Sequence, residues 1–82
     1  MDRDGAWQAL VAAVREETDS PEALIEPGMT ANDIPGWDSL AHARIIMNIE
    51  ARTGAEIEMS DTYKAATVGE LHDLVVGCLA AR

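Results

Sequence analysis

The chain has 82 residues, which allows one small domain but leaves little room for an enclosed active site beside a core. Hydrophobic residues make up 48% of it, so a folded core is expected rather than disorder. The 15 acidic residues outnumber the 6 basic ones, and the net charge of −9 disfavours binding to nucleic acid or to an anionic membrane surface.

Cysteine content and hydropathy narrow the expected cellular setting. The single cysteine, Cys78, excludes an internal disulfide and a cysteine-based metal site. No apolar stretch approaches the length of a membrane span, and the N-terminus lacks the basic and apolar regions of a signal peptide. We therefore expect a soluble cytoplasmic protein. Because the chain ends soon after its last apolar helical stripe, we also expect it to be freestanding.

The first predicted helix covers residues 5–16. Four apolar side chains recur there at helical spacing and form one face: Trp7, Leu10, Val11 and Val14. The following segment, 18–38, is broken by prolines and glycines and predicts a long loop. Its candidate anchors in the core are its large apolar residues, Leu24, Ile25, Met29 and Ile34.

The second helix is predicted from Ser39 to Thr53. Asp38 or Ser39 can cap its first turn, and Gly54 can supply the left-handed residue that ends it. The richer aliphatic stripe should face the core: His42, Ile45, Ile46, Ile49 and Thr53. The other stripe should stay at the surface, where exposed apolar side chains mark a partner site: Leu40, Arg44, Met47 and Ala51.

Two further helices complete the predicted fold. Residues 60–65 favour a brief helix with Ser60 as its cap, and the last helix should open at Thr67, which forms a capping box with Glu70. The core stripe of that last helix repeats at helical spacing: Val68, Leu71, Leu74, Val75 and Cys78. The sequence therefore predicts an all-α domain over residues 1–82, a small bundle of three main helices and one short helix.

The segment Gly36-Trp37-Asp38-Ser39-Leu40 resembles the attachment motif of acyl and peptidyl carrier proteins, whose core is Asp-Ser-Leu at the start of the second helix. A lone Asp-Ser-Leu would be common by chance. Here more of the family's pattern follows at the expected spacing over nearly the whole chain: Asp33-Ile34, Met47, Glu50, Gly54, Ile57 and Thr67-Val68-Gly69-Glu70-Leu71.

The resemblance implies a role for Ser39. In that family the serine hydroxyl is joined through a phosphodiester to 4′-phosphopantetheine, which a separate phosphopantetheinyl transferase takes from coenzyme A. By position, Ser39 is the attachment residue, and Asp38 matches the acid that helps the transferase hold its metal and substrate. A helix N-terminus also suits a phosphodiester, because it presents free N–H groups and a partial positive charge.

The second helix departs from the pattern of many fatty-acid carriers, in which it is distinctly acidic. Between Ser39 and Thr53 only Glu50 is acidic, whereas Arg44 and Arg52 are basic. We therefore expect partner enzymes that differ from those of a housekeeping fatty-acid carrier. The predicted docking face consists of Leu40, Arg44, Met47 and Glu50.

Catalysis and metal binding are the weaker interpretations of the polar residues. A hydrolase built on Asp38, Ser39 and His42 would also need an oxyanion hole and a substrate cleft, and the sequence has no Gly-x-Ser-x-Gly nucleophile elbow. His42 is expected to flank the core, and His72 is expected to be exposed beside Asp73. Two histidines so far apart, and acids without the order of a calcium loop, predict no metal site.

The favoured prediction is a monomeric carrier protein, not an enzyme. It would present acyl thioesters to loading, condensing or modifying enzymes, in polyketide, other secondary-metabolite or fatty-acid-like biosynthesis. An aminoacyl or peptidyl cargo is one alternative. An unmodified acidic helical adaptor that binds a partner through its second helix is another.

Overall fold

Helix α1 (Arg3–Glu17) begins after Asp2, whose carboxylate accepts a hydrogen bond of 2.7 Å from the Gly5 N–H. The computed structural model describes residues 1–81, so Arg82, the last residue of the predicted domain, lies outside the described residues. The buried face of α1 is lined by small and aliphatic side chains: Ala6, Ala9, Leu10, Ala13 and Val14. Trp7 and Val11 are only half-buried. The buried face of α1 is therefore rotated from the predicted face towards the alanines.

Helix α2 (Ser39–Thr53) has the predicted bounds. Asp38 is the cap, and Gly54 ends the helix with a φ of +76° while its N–H bonds the Glu50 carbonyl at 2.8 Å. The predicted aliphatic stripe is confirmed, since Ile45, Ile46 and Ile49 are fully buried. Helix α2 packs against α1, which in turn also contacts the last helix.

The loop between α1 and α2 is anchored by Ile25 and Ile34, which are buried as predicted. The prediction for Leu24 is wrong, because 69% of that residue is exposed. Its neighbours Ala23 and Ile25 are half-buried and buried, so burial alternates along this segment and leaves Leu24 at the surface. Met29 is half-buried, and a short 3₁₀ helix (Ala31–Asp33) that was not predicted follows it.

Helix α3 (Met59–Thr62) is shorter than predicted and starts one residue earlier. The prediction of Ser60 as its cap is wrong, since Glu58 holds the cap position and Ser60 is exposed inside the helix. Thr62 is the buried residue of α3, at 2% exposure. Its side chain, rather than a cap, fixes this helix.

Helix α4 (Val68–Ala81) begins where the long loop meets it. The Glu70 N–H bonds the Thr67 hydroxyl at 3.2 Å, as the capping box predicts. The N–H groups of Val68 and Gly69 donate to the carbonyls of Met29 and Pro27, both at 2.8 Å. The loop and the Thr67 side chain thereby satisfy the donors at the start of α4.

His72 corrects a prediction, because it is buried at 9% exposure instead of exposed. Its Nε2 lies 2.8 Å from the Arg3 carbonyl, and its ring meets Trp7 edge-on with ring centres 5.3 Å apart. Asp73 beside it is exposed and pairs with Arg3 at 2.6 Å. His72 therefore joins α4 to the start of α1.

Buried side chains from α1, α2, α4 and the loops form one continuous core, and the predicted all-α class is confirmed. Residues 1–81 contain three long helices and one short helix, with no strand among them. Over the same residues, no helix has both the length and the apolar character needed to cross a membrane.

Candidate functional site

A tight turn precedes α2 and presents its first residues to solvent. Gly36 has a φ of +88°, and a Cβ there would lie 3.0 Å from the Thr18 carbonyl oxygen, so both conformation and space favour glycine. The Trp37 N–H donates to the Ile34 carbonyl at 3.3 Å. Asp38, Ser39 and Leu40 follow this turn, and all three are exposed.

Asp38 caps α2 with both its side chain and its backbone. Its carboxylate accepts from the Ala41 N–H at 2.8 Å, and its carbonyl accepts from the His42 N–H at 2.8 Å. Within residues 1–81, the N–H groups of Ser39 and Leu40 have no hydrogen-bond acceptor. Two donors at the positive end of a 15-residue helix therefore remain for an anion.

Ser39 stands out among the three serines of the chain. The Ser20 hydroxyl donates to the Thr18 carbonyl at 3.1 Å, and Ser60 lies inside the four-residue α3. The Ser39 hydroxyl is exposed and makes no hydrogen bond to any residue that the structure describes. An accessible hydroxyl beside free N–H groups fits a covalently attached phosphate group.

The family model of the phosphopantetheine attachment site matches residues 8–75 of this chain. The chain belongs to this family. Its fold also matches the solution NMR structure of a holo acyl carrier protein from Geobacter metallireducens. The TM-score is 0.80 and the sequence identity 32%, over 93% of this chain and 87% of the other. A search of curated proteins gave no significant match.

This membership establishes the general function. The chain is a carrier protein with 4′-phosphopantetheine as its prosthetic group, and the family is a carrier domain rather than an enzyme. The site agrees, because both ring nitrogens of His42 are engaged by Trp37 and Thr62 and none is bonded to Ser39. Ser39 and His42 therefore do not form a nucleophile–base pair.

Three of the four predicted docking residues lie on one exposed face of α2. Leu40 is 71% exposed and Met47 is 63% exposed, which confirms that the second stripe of the helix faces solvent. The Arg44 side chain lies between them and is 54% exposed. Leu40 and Met47, with the Arg44 cation between them, place exposed apolar surface on the helix that begins at Ser39.

The two arginines of α2 are paired with helix α1. Arg44 Nε lies 3.4 Å from Glu17 Oε1, and an Arg52 nitrogen lies 2.9 Å from Glu16 Oε2. Asn48 joins both pairs, since its side-chain amide donates to Glu16 and Glu17 at 3.2 and 2.9 Å. The acids of α1 therefore balance the positive charge that the sequence places on α2.

Glu50 lies apart from the other three predicted docking residues. It is half-buried, and its carboxylate accepts a hydrogen bond of 2.9 Å from the Ile57 N–H. This contact secures the connector between α2 and α3. The structure thus gives Glu50 a supporting position, and the exposed face consists of Leu40, Arg44 and Met47.

The turn before α2, helix α2 and helix α3 also share a cluster of aromatic and polar side chains that the sequence did not predict. Trp37 Nε1 donates to His42 Nδ1 at 3.1 Å, and His42 Nε2 lies 2.7 Å from the Thr62 hydroxyl. The Tyr63 ring stacks on the imidazole with ring centres 4.6 Å apart. Burial lowers the pKa of His42 from its ordinary value of 6.5.

Proposed function

We propose that Ser39 is the residue that carries the phosphopantetheine arm. The observation that carries the proposal is an exposed, unbonded hydroxyl at the N-terminus of α2, inside the family's Asp-Ser-Leu motif. The free N–H groups of Ser39 and Leu40 would hold the phosphodiester oxygens. The arm supplies a terminal thiol that holds the cargo as a thioester.

Asp38 is proposed to serve the transferase as well as the helix. Its Oδ1 accepts from the Ala41 N–H, which fixes the carboxylate beside Ser39 while leaving the residue exposed. A carboxylate in that place can contribute to holding the metal and the coenzyme A substrate of a phosphopantetheinyl transferase. Asp38 would thus be both the cap of α2 and a recognition residue for the transferase.

The partner enzymes are proposed to dock on Leu40, Arg44 and Met47. The two apolar side chains offer buried contact area to a partner, and the Arg44 side chain between them offers a charge-assisted hydrogen bond. Because this face is partly apolar and partly basic, we propose that its partners are the loading, condensing or modifying enzymes of a specialised pathway, such as polyketide or other secondary-metabolite assembly.

The domain organisation, the cellular location and the oligomeric state are part of the same proposal. A single continuous core supports one carrier domain over the chain. A cytoplasmic location follows from the need for coenzyme A as the donor of the arm. A monomer suits a carrier whose exposed face must meet several enzymes in turn.

Intact mass spectrometry tests the proposal. The apo protein is incubated with coenzyme A and a broad-specificity phosphopantetheinyl transferase, and the wild type is expected to gain one phosphopantetheine. Ser39→Ala should gain none, whereas Ser60→Ala, which removes the other exposed serine, should load like the wild type. An unmodified, folded wild type would favour the adaptor interpretation.

A further inference from the structure

The aromatic and polar cluster beside Ser39 forms a directed chain of hydrogen bonds. The indole N–H of Trp37 can only donate, so His42 Nδ1 must accept and carries no proton. A neutral imidazole then has its proton on Nε2, which donates to the Thr62 hydroxyl at 2.7 Å. The Thr62 hydroxyl in turn donates to the Met59 carbonyl at 2.7 Å.

Both ends of this chain are fixed in the fold. Met59 and Thr62 are the first and last residues of α3, and Thr62 is almost fully buried. Trp37 belongs to the turn that leads into α2 and is half-buried. His42 therefore links two segments that are far apart in sequence, the turn before α2 and helix α3.

The link between Trp37 and His42 spans the attachment motif. Asp38, Ser39, Leu40 and Ala41 lie between the two bonded side chains, and the Asp38–Ala41 cap braces the same turn from within. Ser39 takes part in neither bond. Its neighbours are thus held while its own hydroxyl is left free.

We propose that His42 is a positioning residue for the loading of Ser39, because it ties the attachment turn to helix α3. The proposal rests on the proposed attachment at Ser39. It adds that a displacement of α3 changes the position of the serine through His42. The three linked side chains also form one wall of a cavity of about 60 Å³ between α2, α3 and the start of α4. A change at Thr62 should therefore be detectable at Trp37 and at Ser39, although Thr62 has no direct hydrogen bond to either residue.

The first test removes the Thr62 hydroxyl, which accepts the hydrogen bond from His42. Thr62→Val keeps the shape of the side chain but lacks the hydroxyl, whereas Thr62→Ser retains it. In Thr62→Val, the Trp37 indole N–H resonance should shift, and the kcat/KM of transferase loading should fall about five-fold, as the loss of one such hydrogen bond permits. Thr62→Ser should restore both, and Ser60→Ala on the same helix should change neither.

The second test examines His42 itself. An amide has one acceptor and two donors, so His42→Gln can bond both Trp37 and Thr62, whereas His42→Leu can bond neither. Loading should be impaired in His42→Leu and largely restored in His42→Gln. In the His42→Leu background, Thr62→Val should no longer shift the Trp37 resonance, because the connection has already been removed.

The outcomes separate the two proposals. If the wild type gains no arm, the attachment at Ser39 is wrong. If the wild type loads, and folded Thr62→Val and His42→Leu load at the wild-type rate, the positioning role of His42 is overturned whatever the indole resonance does. Circular dichroism establishes that each variant is folded before its loading rate is compared.

Discussion

Asp38 shows how one side chain can serve both the fold and the proposed modification. The cap depends on a side-chain oxygen that accepts from the Ala41 N–H, and an asparagine offers the same oxygen without the charge. The proposed recognition by the transferase would depend on the carboxylate itself. The two roles can therefore be separated at this position.

Two substitutions of Asp38 should separate its effect on stability from its effect on loading. Asp38→Ala should lower the free energy of unfolding by about 1 kcal/mol, because the cap is lost. Asp38→Asn should stay within about 1 kcal/mol of the wild type and yet load poorly, because only the charge is lost. Urea unfolding and the transferase rate measure the two effects. Efficient loading of Asp38→Asn would contradict the recognition role.

His42 predicts a pH dependence of stability. Burial lowers the pKa of His42 below 6.5 in the folded protein, so between that lowered value and 6.5 the unfolded chain binds more protons. Stability that is present above pH 6.5 is therefore lost as the pH falls through the folded pKa. The same protonation puts a second N–H against the Trp37 indole N–H, which breaks their hydrogen bond.

The measurement compares two proteins, so that other titrating groups cancel. Urea unfolding of the wild type and of His42→Gln is followed from about pH 7.5 to about pH 5.5. The wild type should lose more stability over this range than His42→Gln, since His72 and the carboxylates are present in both. Equal losses in the two proteins would show that His42 contributes nothing to the pH dependence.

At the scale of elements, local signals predicted α2 correctly and missed contacts between distant segments. Asp38 and Gly54 mark the two ends of α2 within the sequence itself. His72 was misjudged because its partner, the Arg3 carbonyl, lies at the other end of the chain. The hydrogen bond that His42 Nε2 donates to the Thr62 hydroxyl joins α2 to α3, and no local pattern predicts it.

Two glycines of α4 give a matched test of how this helix meets the loop. A Cβ at Gly69 would lie 3.0 Å from the Pro27 carbonyl oxygen, whereas a Cβ at Gly77 would meet nothing within 4 Å. Gly69→Ala should lower the free energy of unfolding by about 1–3 kcal/mol, because the added methyl pushes the loop away. Gly77→Ala should raise it by up to about 1 kcal/mol, through helix propensity.

Urea unfolding of the two variants checks this pair. Both add the same methyl group to the same helix, so the difference isolates the contact with Pro27. If Gly69→Ala were as stable as Gly77→Ala, the loop would not press on the start of α4 as the structure indicates.

At the scale of the whole molecule, the charge of −9 favours encounters with basic partner surfaces, while the exposed face of α2 differs from the rest of the surface. Some acids of the loop are engaged locally: Asp33 bonds the Thr30 N–H at 2.9 Å, and Asp38 caps α2. Among the described residues, the carboxylates of Asp19, Glu22 and Glu26 have no such partner. In the proposed docking, these acids would provide long-range attraction, and Arg44 would provide selectivity at short range.

Charge reversal at Arg44 tests the docking face. Arg44→Glu should weaken transfer to and from the enzymes of its own pathway by about ten-fold. The proposed charge-assisted contact between Arg44 and an acidic group of the partner would become a contact between two negative charges. Arg52→Glu is the matched control, since it reverses the other arginine of α2, also paired with α1, outside the proposed face. Transfer kinetics measure both. Equal transfer by Arg44→Glu and the wild type would exclude Arg44 from docking.

We propose that the arm is attached to Ser39 and to no other serine. Peptide mapping by tandem mass spectrometry of the loaded wild type tests it most directly, because the three serines lie well apart in the chain. We expect phosphopantetheine on the peptide that contains Ser39, with the Ser20 and Ser60 peptides unmodified. Phosphopantetheine on either of those peptides, or a loaded Ser39→Ala protein, would contradict it.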